Sequence, residues 1–305
     1  MIEIFLKTLP FFALIGLGWA AGRLRFFPPE ATAWLTKFVF YFALSAMLFR
    51  FTATLPIEEL FDPAFFAAYL TASIAVWALG FAVAKLRARP LAEAAMEAHT
   101  AMTGNTGFLG VPMLVVLLGP KAAGPVLMVL AADMIVFSTL ITLIVTYAHH
   151  GRVAVAPLAL GLAKNPMIVS MVAGLAWALL HLPMPGPLEE FMKILGGAAT
   201  PGALFAIGAS LAGRSAERLG PALWLSAAKL VLHPLAVAVA AFLIFPVEPI
   251  AAGVMVAAAA LPVAGNVYIL AASFGVAPQR VSTAVLISTA VSILSIPAVI
   301  AWVHT

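Results

Sequence analysis

The sequence predicts an all-α integral membrane protein with ten transmembrane helices. Of its 305 residues, 64% are hydrophobic and only 9% are charged, whereas a soluble domain is about half apolar and about a quarter charged. The 12 acidic and 16 basic residues could not cover a soluble fold of this length with a polar shell. The apolar residues also fall in long runs rather than in amphipathic stripes, which is typical of membrane spans.

Ten segments are long and apolar enough to cross a bilayer, which requires about 20 residues. Glycine and proline interrupt two of them, the fourth and the ninth, and charged or Pro/Gly positions separate them all. In chain order the predicted spans are residues 4–22, 31–52, 64–85, 94–118, 122–148, 158–182, 190–212, 221–245, 250–274 and 280–303.

The basic residues predict the orientation of the spans, because cytoplasmic loops carry an excess of lysine and arginine. One set of loops holds ten basic residues and is expected to face the cytoplasm: Arg23, Arg25, Lys85, Arg87, Arg89, Arg152, Lys164, Arg214, Arg218 and Arg280. The opposite set holds four, together with acidic residues: Lys7, Arg50, Lys121, Lys193, Glu58, Glu59, Asp62, Glu189, Glu190 and Glu248. Both termini then lie outside the cytoplasm.

The two halves of the chain share three short segments in the same order and at nearly constant offsets. The pairs are IGLGWA (15–20) with AGLAWA (173–178), FALSAML (42–48) with FAIGASL (205–211), and TGNT (103–106) with AGNV (264–267). Each unit contains five spans, and an odd number of crossings inverts the second unit. The sequence therefore predicts two inverted repeats, 1–150 and 151–305, an arrangement typical of secondary transporters.

Corresponding spans of the two repeats, the fourth and the ninth, contain glycine and proline at mid-span. These residues weaken or remove backbone hydrogen bonds, so the backbone there must line a cavity or meet a partner. Such paired interruptions indicate a transporter binding site, in which half-helix N-termini attract an anion. The residues of the predicted helix breaks are Gly104, Gly107, Pro112, Pro262 and Gly265.

The predicted substrate-binding residues on these two spans are Asn105, Thr106, Asn266 and Tyr268. The two asparagines occupy the same repeat position, and both amides can donate to a carboxylate. The alternative is that they only satisfy the broken backbone as polar contacts between helices.

Three ionisable residues in the spans are candidates for ion coupling. Asp133 lies about halfway along the fifth span, where a charged carboxylate must be protonated, paired or bound to a cation. It either couples transport to an ion or makes a structural hydrogen bond. Lys229 and His233 lie one turn apart on the eighth span; Lys229 either takes part in coupling or extends to the cytoplasmic surface, and His233 is either a proton relay or a packing residue.

Enzymatic function is not expected. The chain has no cysteine and no HExxH, P-loop or GxSxG motif, and no segment could form an ATPase domain. No cofactor or metal is predicted, and the basic residues lie scattered at helix ends rather than in a nucleic-acid-binding patch. Transport energy would come from a proton or sodium gradient, the substrate gradient or the membrane potential.

Three segments resemble the auxin efflux carrier family, which includes bacterial malonate-type permeases and the plant PIN-formed auxin transporters. They are GNTGFLGVP (104–112), FYFALSAMLF (40–49) and KLVLHP (229–234), and the similarity extends over the whole chain. Ser45 stands where the family usually has proline, and Asp133 matches an acidic position. The chain lacks the long central loop of many plant members and an Asp/Lys pair in its third span, so plant-type phosphoregulation and coupling are not expected.

This resemblance implies a fold similar to that of the bile-acid sodium symporters and sodium/proton antiporters. Spans 1, 2, 6 and 7 would form a scaffold, and spans 3–5 and 8–10 a core that moves against it. The fourth and ninth spans would cross at their breaks, with Ser45 facing them. The resemblance also implies organic-anion substrates and a homodimer formed through the second and seventh spans.

The leading hypothesis is therefore a carrier in the cell (inner) membrane for small organic anions, carboxylates such as malonate or auxin-like acids, working by elevator-type alternating access. A sodium/proton antiporter on the same fold is an alternative, although Asp133 is the one convincing buried acid. A receptor-like or light-sensing protein, with Lys229 as a Schiff-base lysine and Asp133 as its counter-ion, is a third. An intramembrane enzyme is disfavoured because no nucleophile–base or metal set is present.

Overall fold

The protein consists of helices and their connections in the part of the chain that the computed structural model describes, residues 2–55, 61–152, 155–214 and 219–303. No strand occurs in these ranges. Glu58, Glu59 and Arg218, which contributed to the predicted orientation, lie outside them. The helices are α1 (Ile2–Arg23), α2 (Pro29–Thr54), α3 (Pro63–Leu86), α4 (Leu91–Met102), α5 (Thr106–Leu118), α6 (Pro120–His150), α7 (Val155–Ala163), α8 (Pro166–Leu179), α9 (Gly186–Leu211), α10 (Leu219–Ile244), α11 (Pro249–Ala259), α12 (Gly265–Phe274) and α13 (Pro278–Val303).

Seven of the described helices are long and apolar enough to cross a membrane, namely α1, α2, α3, α6, α9, α10 and α13. They correspond to seven of the predicted spans. The other three predicted spans are each divided between two shorter helices: α4 with α5, α7 with α8, and α11 with α12. The divisions at α4–α5 and α11–α12 fall where glycine and proline predicted breaks.

The division of the sixth predicted span, 158–182, was not predicted, and the expectation of one continuous helix there is wrong. Asn165 begins a new helix, because its side chain accepts hydrogen bonds from the backbone N–H groups of Met167 at 3.0 Å and Ile168 at 3.5 Å. Pro166 follows at the first helical position, where its missing N–H costs nothing.

A similar start signal, a capping acidic side chain followed by proline, opens two other helices. Asp62 accepts from the N–H groups of Ala64 and Phe65 before α3, and Glu248 accepts from Ala251 before α11. A cap of this kind satisfies backbone donors that the helix itself leaves unpaired.

The outer surface of the bundle is apolar. Large side chains such as Leu86, Ile194, Leu243 and Leu294 are exposed on different helices. An exterior of this kind would be unstable in water but matches the hydrocarbon of a bilayer. Together with the length of the helices, it shows a multi-pass membrane protein.

Glycines let two pairs of helices pack with their backbones in contact. A side chain at Gly18 of α1 would collide with the carbonyl oxygen of Phe205 on α9, and one at Gly208 of α9 with the carbonyl oxygen of Ile15 on α1. Gly174 of α8 packs in the same way against the Thr52 side chain of α2. Small residues at such crossings allow the close approach that holds helices together in lipid.

Candidate functional site: a crossing of two broken helices

The breaks between α4 and α5 and between α11 and α12 lie against each other. Gly104 and Val263 form an isolated antiparallel bridge. The Asn105 N–H donates to the Pro262 carbonyl at 2.9 Å, and the Ala264 N–H donates to the Thr103 carbonyl at 3.2 Å. Each break thus satisfies backbone groups of the other, which is how non-helical backbone is tolerated at membrane depth.

The crossing opens on one side into a cavity of about 910 Å³. Its walls come from the α1–α2 connection, the end of α9 and the first turns of α5 and α12. Its basic lining residues are Arg23, Arg25, Lys37 and Arg214, and no described acidic residue lines it. The cavity is therefore electropositive and suited to an anion.

Asn105 and Asn266 both line this cavity. Asn105 is only 6% exposed, and its amide makes no hydrogen bond with another described residue. No described side chain caps the N-terminus of α12 or that of the π-helical turn that starts α5. The Asn266 amide likewise makes no hydrogen bond with the part of the chain that the structure describes. Backbone N–H groups and the two amides therefore meet at the cavity and form a donor set for a carboxylate.

Tyr268 also lines the cavity, and the Arg214 side chain lies over its ring. The guanidinium carbon of Arg214 lies 4.1 Å from the ring centroid, within the range of a cation–π interaction. Arg214 follows the end of α9, and burial lowers the pKa of its guanidinium from its usual value. Arginine is not deprotonated in proteins, so the side chain stays a cation.

A buried polar cluster adjoins the crossing, and none of its residues lines the cavity. The Asp133 carboxylate accepts a hydrogen bond from the Tyr69 hydroxyl at 2.7 Å and one from the Thr106 hydroxyl at 3.4 Å. The Ser73 hydroxyl lies 2.9 Å from Nε2 of His233. All five side chains are buried, so the cluster joins α3, α5, α6 and α10 away from solvent.

Lys229 connects this cluster to the crossing itself. Its side chain is 0% exposed, and its amine lies 3.3 Å from Nδ1 of His233 and donates to the Ala259 carbonyl, the last residue of α11. A cation is stabilised there because carbonyl oxygens gather at a helix C-terminus. The interpretation that Lys229 extends to the cytoplasmic surface is therefore wrong.

The structure brings some predicted site residues to the cavity and others elsewhere. Ser45 is buried on α2, donates to the Phe40 carbonyl at 3.1 Å and is not among the residues that line the cavity. Thr106 belongs to the Asp133 cluster instead. Of the predicted break residues, Gly104 and Pro262 lie in the breaks, and Gly265 is the first residue of α12. Gly107 and Pro112 lie beyond the first break, inside α5.

Three residues of the site were not singled out from the sequence: Tyr69, Ser73 and Arg214. Tyr69 and Ser73 are four residues apart on α3, so they share one face of that helix. Polar residues at this spacing in an otherwise apolar span could have indicated from the sequence that this face of α3 belongs to a site. Arg214 was counted only as a loop cation, because nothing in the sequence shows that its side chain turns into a cavity.

Broken helices around a cavity inside an apolar bundle are typical of a polytopic membrane transport protein, and comparisons with known proteins identify the same class. A family model described as "Membrane transport protein" matches residues 3–300. The chain is also 35% identical over 302 residues to a protein of Rhizobium meliloti (strain 1021) named "Putative malonate transporter", covering 97% of this chain and 94% of that protein. The chain belongs to this family, the auxin efflux carriers, as its GNTGFLGVP segment indicated.

Proposed function

We propose that the protein is a secondary transporter that carries small organic anions, carboxylates such as malonate, through the crossing of its broken helices. The observation that carries the proposal is the electropositive cavity at the crossing. Two helix starts without a side-chain cap face it, and the amides of Asn105 and Asn266 line it. Malonate is the first candidate because the relative from Rhizobium meliloti is named for it.

The site is suited to hold and release its ligand. Backbone N–H groups and amides bind a carboxylate without a strong ion pair, so binding need not be too tight for transport. A carboxylate docked there would complete the hydrogen bonds that the crossing leaves open. No group of three or more potential metal ligands occurs among the described residues, and we propose no metal or organic cofactor.

Ten crossings and two inverted five-helix repeats are part of the proposal. Seven long helices and three divided pairs would make ten crossings, with repeats at 1–150 and 151–305. Support comes from reciprocal packing: α1 packs on α9 through Gly18 and Gly208, and α8 packs on α2 through Gly174. Each proposed repeat thus contributes one helix to each of the two pairs, as pseudo-symmetry requires.

Elevator-type alternating access is the proposed mechanism. The scaffold would be α1, α2 and α7–α9, and the core would be α3–α6 and α10–α13. The cavity lies between them, since α1, α2 and α9 supply one wall and α5 and α12 the other. Its exposed lining residues Arg23 and Arg25 lie on the predicted cytoplasmic side. We therefore propose that this conformation is inward-facing, in the inner membrane, with both termini outside. A homodimer through α2 and α9 is proposed by family resemblance.

Coupling to an ion is proposed to involve the buried cluster. A charged carboxylate or amine is costly in a dry interior. Asp133, Lys229 and His233 would therefore transfer a proton among themselves or bind a proton that enters the cluster. Sodium is the alternative coupling ion. A sodium/proton antiporter remains the alternative function, but one acid at the crossing is a sparse ligand set for it.

The test is malonate uptake into proteoliposomes by a matched pair of variants. Asn266→Asp adds a negative charge near a helix start, which preserves the helix but repels an anion from the cavity. Asn165→Asp makes the same change at the cap of α8, where aspartate caps as well as asparagine. We expect the first to abolish uptake and the second to retain it. Equal uptake by both variants, or none by the folded wild type under any gradient, would refute the proposal.

A further inference from the structure

One cation of the cavity is more buried than the others. Arg23, Arg25 and Lys37 line the cavity with exposed side chains, whereas Arg214 is half-buried in its wall. Exposed charges are screened by water and salt, but a partly buried charge interacts much more strongly with a ligand beside it. Of these four, Arg214 is therefore the residue best placed to distinguish between anions.

Neutral groups hold the Arg214 guanidinium in place. Its Nε donates to the Ser210 carbonyl and its Nη1 to the Ser282 hydroxyl, both at 3.3 Å, and its guanidinium carbon lies over the Tyr268 ring. No described carboxylate pairs with it. A cation that is partly desolvated without a counter-ion is unfavourable until an anion arrives from outside the chain.

Tyr268 connects this cation to the proposed carboxylate site. It lies two residues after Asn266, on the first turns of α12, so the guanidinium on its ring and the uncapped helix start share one wall of the cavity. The cavity thus has two separate centres for negative charge. A planar guanidinium also matches the two oxygens of a carboxylate in a bidentate contact.

We propose that Arg214 is the residue that selects dicarboxylates, by binding the second carboxylate of a substrate whose first carboxylate is held by Asn105, Asn266 and the α12 start. This inference rests on the proposed function. A monocarboxylate would leave the guanidinium unpaired and would gain nothing from it.

The experiment compares malonate with malonamate, in which one carboxylate is replaced by a neutral amide of nearly the same shape. Dissociation constants are measured calorimetrically on the purified full-length protein, at a pH where both malonate carboxylates are ionised. We expect the wild type to bind malonate more tightly. Arg214→Gln should weaken malonate binding by about 10-fold or more, as the loss of a charged hydrogen-bonding partner does, and change malonamate binding by less than about 2-fold.

Two further variants control for charge and folding. Arg23→Gln removes an equal charge from an exposed part of the same cavity and should change malonate binding by only about 2- to 3-fold, because that charge is screened. Arg214→Lys keeps the charge without the planar fork and should lie between the wild type and Arg214→Gln. If Arg214→Gln weakens both ligands equally, or neither, Arg214 does not select dicarboxylates, while the transporter proposal stands. If the folded wild type binds neither acid, the proposed function fails first.

Discussion

Gly104 and Lys229 show how closely the crossing is packed at the scale of single residues. The lysine amine occupies the space beside the broken backbone, and Gly104 leaves that space free because it has no side chain. A Cβ at Gly104 would lie 3.3 Å from the Ala258 carbonyl oxygen and 3.3 Å from the Lys229 amine. The glycine that weakens the helix therefore also leaves room for the Lys229 amine beside the crossing.

Gly104→Ala should consequently destabilise the protein by about 1–3 kcal/mol, the usual cost of an extra methyl group in a filled interior. Gly265→Ala is the matched control in the other break, because a Cβ there meets nothing within 4 Å. Thermal unfolding of both variants in detergent checks this expectation. Equal midpoints for the two variants would show that Lys229 does not occupy the space beside Gly104.

Asp133 provides the second test at this scale. Asp133→Asn keeps an oxygen that can accept the Tyr69 hydrogen bond of 2.7 Å, so the variant should fold and bind malonate. It can no longer gain or lose a proton, so its malonate uptake should stop responding to an imposed proton gradient. Uptake into proteoliposomes at matched and mismatched pH measures this response. A variant that still responds fully would remove Asp133 from coupling.

At the scale of helices, the close pairing of α1 with α9 depends on the position of its glycines. Gly18 lies against the Phe205 backbone, whereas Gly16, two residues earlier, faces open space. The two positions therefore form an internal comparison on one helix.

Gly18→Ala should lower stability by about 1–3 kcal/mol because it forces the two helices apart. Gly16→Ala should leave stability unchanged or raise it by up to about 1 kcal/mol, since alanine is the better helix former. Thermal unfolding midpoints of the two variants separate these outcomes. A larger loss in Gly16→Ala would contradict the packing of α1 on α9.

The sequence predicts long helices and strong breaks well, and irregular turns poorly. The runs that became α1, α3 and α13 follow directly from length and hydropathy, and the glycines of the two crossing breaks locate them to within a few residues. The cap at Asn165 was missed because the apolar run continues on both sides of it. The π-helical turns at Asp133 and Lys229 have no local signal, since tertiary contacts determine them.

At the scale of the whole molecule, the predicted orientation can be tested because the chain contains no cysteine. Ser210 lines the cavity on the predicted cytoplasmic side, and Lys193 is exposed near the opposite end of α9. Each can be replaced by cysteine, which would then be the one thiol in the chain, without removing a residue of the proposed anion site.

A membrane-impermeant maleimide should label Ser210→Cys only from the cytoplasmic face and Lys193→Cys only from the outside. Malonate should slow labelling of the first variant, since it would fill the cavity, and leave the second unchanged. The measurement is labelling of right-side-out and inside-out vesicles. The reverse pattern would invert the proposed topology.

The whole-molecule view also shows which part of the site a sequence can predict. Asn105 and Asn266 could be paired because they lie in the matching segments TGNT and AGNV of the two predicted repeats. The cavity could not be predicted, because its walls come from α1, α2, α5, α9 and α12 and their register depends on packing. Arg214 became a site residue only through that packing.

The most direct test of the central claim is the thermal stability of the purified protein with increasing malonate. A ligand that binds only the folded state stabilises it, by about 2.7 kcal/mol at 100 times its dissociation constant. We predict that malonate raises the unfolding temperature of the wild type and has no effect on Asn266→Ala. An equal rise in both proteins, or a rise with sodium and none with any carboxylate, would contradict an anion site at the crossing.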